Sequence, residues 1–311
     1  GEIGSAVLTA KLETDFANFP SGVAESRETP RIRLAYVNVE RGNTTWRFGQ
    51  DWDVVAPLLP AANNETLMWN NGNLGDRRPM AQVIWQRKNA GGSEVTLRAA
   101  LGLTGAVNNQ DLDPAAGGVV SSLERDGFDS GLPHLQVRGG MSAASWVAEK
   151  RWEAGIWGYV AQLETDSQFA GEDTFTPWCI GADWTVPLHA RLTLRGELWT
   201  GAALGDVRGT IGQTVNTTLG EEIGGWGGWM ELVIQVEPAF RVHVGGTLDD
   251  PEAEDLSAGS RELNTSGYVG GVYDWGKGFR AGLDAIYWET QTQGQGVGNM
   301  VRFNAWVQLD F

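Results

Sequence analysis

From residue 5 onward the chain repeats a two-residue rhythm of apolar and polar side chains, broken by turns and by loops of unequal length. Ser5 to Phe16 sets Ala6, Leu8, Ala10 and Leu12 against Thr9, Lys11, Glu13 and Asp15. Pro30 to Val39 sets Ile32, Leu34 and Tyr36 against Arg31 and Arg33. After the tight turn Glu40-Arg41-Gly42-Asn43, Thr45 to Asp53 sets Trp46, Phe48 and Trp52 against Arg47, Gly49 and Asp51. A sustained period of two describes a strand with one oily and one wet face. Val54 to Pro79 carries three prolines and no alternation, so it reads as a loop.

The rhythm resumes with Ala81–Arg87 and with Val95, Leu97, Ala99 and Leu101 opposing Thr96, Arg98 and Ala100. Beyond a polar loop, Thr104 to Gly131, Leu135, Val137 and Met141 oppose Gln136, Arg138 and Ser142. Next, Trp157, Tyr159, Ala161 and Leu163 oppose Gly158, Gln162 and Glu164. The second half repeats the scheme through Trp178–Thr185, Leu192–Leu198, Met230–Val236, Phe240–Val244, Ser266–Trp275 and Phe279–Glu289. Arg195, Arg241 and Arg280 fall in its polar registers. The last stretch, Gly298 to Phe311, alternates Val301, Phe303, Ala305, Val307 and Leu309 with Arg302, Asn304, Gln308 and Asp310.

These are about 14 strands, and the connections between them alternate long and short along nearly the whole chain. Consecutive strands are then antiparallel, with the long loops at one end and the tight turns at the other. Membrane barrels have that regularity, and a closed sheet satisfies every backbone group in hydrocarbon. The expected fold class is all-β: a transmembrane antiparallel up-and-down β-barrel, residues 1–311 forming one domain.

Composition changes this picture little. No run of 18 apolar residues occurs, which excludes a spanning helix but not spanning strands, whose alternation hides the lipid face from any average. The 15 Trp are abundant, and Trp is favoured at membrane–water boundaries; Trp46, Trp52, Trp85, Trp157, Trp178 and Trp184 are candidates for two aromatic girdles. A net charge of -16 speaks against nucleic acid as a partner. The single Cys179 excludes an internal disulfide, and Gly1 reads as the start of a processed or trimmed chain.

Arginine dominates the polar register: Arg31, Arg33, Arg47, Arg98, Arg138, Arg195, Arg241, Arg280 and Arg302. Nine cations on the inner face of a barrel need water or acid partners, because unpaired buried charge is prohibitive. A ring of 14 or more strands has room for a wet channel, and these arginines are the expected pore-lining residues. Glu13, Asp51, Asp183, Glu197, Glu231 and Asp284 are the acids available to pair with them. His243 is the one histidine in an inward register, but no serine motif accompanies it, so no enzyme is expected. No Cys/His spacing suits zinc, no cofactor is implied, and the Asp111–Asp113 and Asp249–Asp255 acids read as solvated loops. Gly224–Gly228 lacks the strand-to-helix context of a phosphate loop.

Three runs carry a family resemblance: Ala10-Lys11-Leu12-Glu13-Thr14-Asp15-Phe16, Arg31-Ile32-Arg33-Leu34-Ala35-Tyr36-Val37 and Trp46-Arg47-Phe48-Gly49-Gln50-Asp51-Trp52. Together they resemble bacterial outer-membrane porins of the DcaP-like branch, and terminal Phe311 resembles the closing residue of outer-membrane barrels. Members of that branch commonly have 16 strands, so the resemblance implies either a 14-stranded form or two missing amino-terminal strands. It also implies that the loop after the third run, residues 54–79, folds into the pore and narrows it. Asp51, Asp53, Glu65 and Asp76 would then be constriction-loop acids facing the arginines across a transverse field. The implied function is passive diffusion of small hydrophilic, preferably anionic solutes such as carboxylates through the bacterial outer membrane. The implied surroundings are outer-membrane lipid and lipopolysaccharide, with a homotrimer as the assembly. Two alternatives stay open: a sugar-selective channel using Trp199, Trp288 and Trp306 as a stacking slide, and a plugged structural or adhesive barrel.

Overall fold

The computed structural model describes residues 2–3, 5–18, 28–63, 66–104 and 130–310. In chain order the first strands are β1 (Glu2–Ile3), β2 (Ala6–Asn18), β3 (Glu28–Arg41), β4 (Thr44–Trp52), β5 (Arg77–Lys88), β6 (Glu94–Gly102), β7 (His134–Ala144) and β8 (Arg151–Val160). They are followed by β9 (Leu163–Phe169), β10 (Glu172–Phe175), β11 (Trp178–His189), β12 (Leu192–Ala202), β13 (Val215–Asn216) and β14 (Glu221–Glu222). The last are β15 (Gly224–Glu237), β16 (Phe240–Pro251), β17 (Arg261–Gly276), β18 (Phe279–Thr292) and β19 (Gly296–Leu309). Fifteen of these make one sheet in the order β1-β2-β3-β4-β5-β6-β7-β8-β11-β12-β15-β16-β17-β18-β19, while β9–β10 and β13–β14 are small hairpins within connections. Apart from the two-residue β1, the fourteen strands run from 9 to 16 residues, and a tilted strand of ~9–11 crosses a bilayer. Every pairing in the sheet joins strands next to each other in its order and is antiparallel. The up-and-down reading holds.

One face of this sheet is oily and open. Leu12, Phe16, Leu283, Phe303 and Val307 are all at least 68% exposed, and Trp46 and Trp178 stand on the same surface. The other face carries the polar register, and the sheet bends around it. The Ala61 amide reaches Glu231 on β15, and the Asn63 carbonyl reaches Asn304 on β19. Two residues of chain span at most ~7 Å, whereas four strand spacings measure ~19 Å along a sheet. A wall curved towards those residues brings both side chains to them from strands four places apart.

The expected lipid face fails on two strands. On β3, Ile32 faces out at 54% exposed, but a register shift opposite Glu13–Thr14 turns Leu34 inward at 4%, and Tyr36 lies under the Arg47 guanidinium. The other is β8. Trp157 and Tyr159 are 2% and 3% exposed and point inward, while Ile156 and Val160 of β8 face out at 68% and 42%. Over residues 156–160 both registers are apolar, and the one inner-face polar marker is Glu153, which shares the register of Trp157 and meets Arg138 at 3.5 Å. Space decides: a Cβ on Gly181 would lie 2.3 Å from the Trp157 ring, so the bare glycine makes the seat for the indole. Trp157 is therefore not a girdle residue. The expected loop Val54–Pro79 also ends earlier, at Asp76, because Arg77 already pairs with Trp52 across β4–β5.

Candidate functional site within the barrel

Two segments fold onto the polar face. The first, residues 53–76, joins β4 to β5, and its ends close on each other through Asp53 N–Asp76 O (2.8 Å) and Asp76 N–Asp53 Oδ2 (2.9 Å). Prolines 57 and 60 and left-handed residues at Ala56, Leu67, Met68, Asn70, Gly72 and Gly75 prevent regular strand. Its backbone hydrogen bonds therefore go to the wall. Gln136 Oε1 accepts from Val54 N at 2.6 Å, Glu197 Oε1 from Leu58 N at 2.7 Å and Glu231 Oε2 from Ala61 N at 2.9 Å. Trp199 Nε1 and Asn264 Nδ2 donate to the carbonyls of Gly72 and Asn70. Gly72 is obligatory: with φ of 95°, its Cβ would sit 2.2 Å from the Gly228 carbonyl oxygen.

The second segment, residues 203–216, contains two short 3-10 turns, Leu204–Val207 and Thr210–Gly212. Leu204 and Val207 are fully buried against Val55, Ala56 and Leu74 of the first segment and Trp157, Tyr159 and Trp199 of the wall. Backbone bonds Gly75 N–Val207 O and Asn70 N–Arg208 O, both 2.9 Å, tie the two segments together. The interior thus has a small apolar core of its own.

Arg78 is the shared anchor. Its side chain is 0% exposed, with Nη1 2.6 Å from Asp206 Oδ2, Nη2 3.0 Å from Asp53 Oδ2, and a further bond from Nη2 to the Asp206 carbonyl at 2.8 Å. Gln136 Nε2 donates to Asp53 Oδ1 at 2.7 Å. Burial pushes the Asp53 carboxyl up, with the Arg78 charge pulling the other way. Arg208 Nε holds Asp76 at 2.7 Å and stacks over Trp69.

The arginines named from the sequence divide into groups. Arg31 meets Asp15 at 2.6 Å, Arg33 meets Glu13 at 2.8 Å and Asp15 at 3.1 Å, and Arg47 meets Asp51 at 2.5 Å while lying over the Tyr36 ring. Arg138 is sealed against Asp183 at 2.6 Å, and Arg195 bonds Glu231 at 3.0 Å and the Leu59 carbonyl. Arg280 pairs with Asp310, and Arg302 donates to Asn304. Arg98 lies beside Arg138 across β6–β7, and neither it nor Arg241 forms an ion pair among the described residues. Glu197 and Asp284, open as arginine partners from the sequence, serve otherwise: Glu197 takes the Leu58 amide and Trp229 Nε1, and Asp284 takes His243 and Trp306.

Of the four acids expected on the constriction loop, Asp51 lies instead on β4, where it pairs with Arg47; Asp53 and Asp76 are each occupied by an arginine, and Glu65 lies outside the described residues. The three candidate slide tryptophans are also engaged. Trp199 is buried on Gly72, Trp288 packs on the Ala62–Met68–Tyr268–Ile286 cluster, and Trp306 donates to Asp284. Sequence reasoning missed Arg77, Arg78, Asp206 and Arg208. The adjacent Arg77-Arg78 pair falls at a strand start where no alternation precedes it, and Asp206 and Arg208 sit in a Gly-rich connection.

No family model and no curated protein matches the chain. Solved structures do. The chain is similar to the outer membrane channel DcaP of Acinetobacter baumannii with a TM-score of 0.75 at 17% identity, covering 100% of this chain and 82% of that one. It is similar to OmpT, an outer membrane protein of Vibrio cholerae, with a TM-score of 0.55 at 11% identity, covering 98% and 84%. It is also similar to an anion-selective porin from Comamonas acidovorans with a TM-score of 0.51 at 13% identity, covering 97% and 83%. The fold is that of the outer-membrane porin barrels.

Proposed function

We propose that this chain is a passive outer-membrane channel for small hydrophilic solutes, with a preference for anions such as carboxylates. One observation carries the reading. The two inward segments bury much of the inner face from β5 round to β18, whereas the side chains of Arg31 and Arg33 remain 40% and 31% exposed, against 4% for Arg138 and 0% for Arg78. The water path accordingly runs along β2–β4, past Arg31, Arg33 and Arg47, with Arg98, Arg241 and Arg302 further round the wall. Guanidinium forks there raise local anion concentration and match carboxylate geometry. The loop acids Asp53 and Asp76 hold the constriction segment in place, and no chemistry is performed. Assembly as a homotrimer in outer-membrane lipid and lipopolysaccharide belongs to the same reading.

Planar-bilayer recording tests it. Wild-type protein gives anion-selective conductance, and Arg33→Glu with Arg47→Glu moves the reversal potential towards that of the cation, most at low salt where screening is weak. Wild-type protein that inserts yet conducts nothing would overturn the proposal.

A further inference from the structure

The inner face of β2 and β3 carries charges of both signs in succession. Arg31 grips Asp15 with two bonds, Nη2–Oδ2 at 2.6 Å and Nε–Oδ1 at 2.9 Å. Arg33 reaches Asp15 Oδ2 at 3.1 Å and Glu13 Oε1 at 2.8 Å, and Lys11 Nζ lies 3.1 Å from Glu13 Oε2. From the end where residues 19–27 join the two strands, the order is Arg31, Asp15, Arg33, Glu13, Lys11. Asp15 to Lys11 covers about 13 Å of strand. A bulge makes the run continuous. Glu13 pairs with Leu34 and Thr14 with Ile32, so Arg33 is the extra residue between two rungs and touches both acids.

These five side chains are 26% to 48% exposed, so they stand in the water path rather than sealed like the Arg78 and Arg138 pairs. Every member nevertheless holds a partner of opposite sign. A lone anion entering the run must draw a cation from an acid and leave that acid unpaired, and a lone cation does the converse. A solute carrying both charges replaces both halves of a wall pair at once. Its carboxylate takes the guanidinium or ammonium, its ammonium takes the acid, and the number of opposed charges in contact is conserved.

We propose that Arg31, Asp15, Arg33, Glu13 and Lys11 form an exchange ladder for zwitterionic solutes, an α-amino acid being the matching chemistry. Exposed ion pairs are individually weak, so each exchange is shallow and reversible, which suits passage rather than retention. Three cations against two acids leave one positive charge over, so the ladder still favours a solute that leads with its carboxylate. This rests on the channel reading above and names a solute class within it.

The test is swelling of vesicles holding the full chain in isosmotic alanine or in its uncharged isomer lactamide, at about pH 7, where alanine carries both charges. The two solutes share one atomic composition and no net charge, so size and membrane potential do not separate them. Wild-type vesicles should admit alanine roughly 3- to 5-fold faster than lactamide, the scale of one exposed ion pair. Glu13→Gln with Arg33→Gln removes one charge of each sign and should bring the ratio close to one. The lactamide rate reports how much folded channel each variant inserts. Arg33→Lys, which keeps the charge, should keep most of the ratio. Lys88→Gln with Glu94→Gln, discharging the pair at the β5–β6 turn, is the control and should leave it unmoved. Alanine no faster than lactamide in the wild type, or a ratio that the Glu13–Arg33 double variant leaves unchanged, would overturn the ladder while sparing the channel. Absence of lactamide-driven swelling in the wild type would overturn the channel itself.

Discussion

Replacing Arg78 by Met probes what holds the inward segments. The guanidinium closes ion pairs to Asp53 and Asp206, donates to the Asp206 carbonyl and lies 3.3 Å from the Leu103 carbonyl, all in a site with no solvent access. Methionine fills similar volume but leaves two carboxylates facing each other in an apolar enclosure. Breaking a buried pair by removing one partner costs about 3–5 kcal/mol, and every ~1.4 kcal/mol is tenfold in an equilibrium. The ratio of docked to released segments should therefore fall by more than 100-fold. The readout is single-channel conductance: Arg78→Met should open to larger, noisier currents with weakened ion preference, and residues 53–76 should become accessible to protease. Adding Asp53→Asn and Asp206→Asn to Arg78→Met should restore much of the wild-type trace, because the penalty comes mainly from orphaned charge. An Arg78→Met channel with wild-type conductance and protease resistance would refute the anchoring argument.

The remaining predictions concern the glycine, the lipid face and pH. Gly72→Ala drives a methyl into the Gly228 and Leu248 carbonyls and should expel the 66–76 region, seen as increased conductance without loss of the folded barrel on a denaturing gel; unchanged conductance would show that the backbone can yield there. Leu283→Arg, on the open apolar face at 68% exposed, should destabilise insertion by about 2–4 kcal/mol near the bilayer midplane, measured as a lowered urea midpoint in lipid vesicles; an unmoved midpoint would put that face out of contact with lipid. Burial raises the Asp53 carboxyl above its ordinary value, so the docked segment binds a proton more tightly than the released one. Docking then strengthens as pH falls through the docked value and gains nothing more below the ordinary aspartate range. Current noise should fall, not rise, on mild acidification, and acid-induced opening would contradict the sign.

How much of the fold and of the site is legible in the sequence is clearest on particular strands. On β19 the alternation Val301, Phe303, Ala305, Val307 against Arg302, Asn304 and Gln308 states both faces correctly, because one register is apolar and the other is not. On β8 the same logic chooses the wrong face, because Trp157 and Tyr159 are as apolar as Ile156 and Val160, and the choice falls to the space above Gly181. The inward loop is expected from resemblance, and its prolines and broken alternation agree. Its anchors cannot be read from the pattern, since Arg78, Gln136, Asp206 and Glu231 lie 25 to 170 residues from the groups they hold.

What the linear pattern settles is local. A period of two, the unequal loops and the absence of a long apolar run specify antiparallel strands with a wet and an oily side, since those properties depend only on neighbouring residues and on the solvent each side meets. Which arginines stay in water and which are spent as anchors is decided by tertiary folding alone. That division depends on where two distant loops settle against the wall, and only the curvature of the whole sheet brings Arg78, Asp53 and Asp206 to one point.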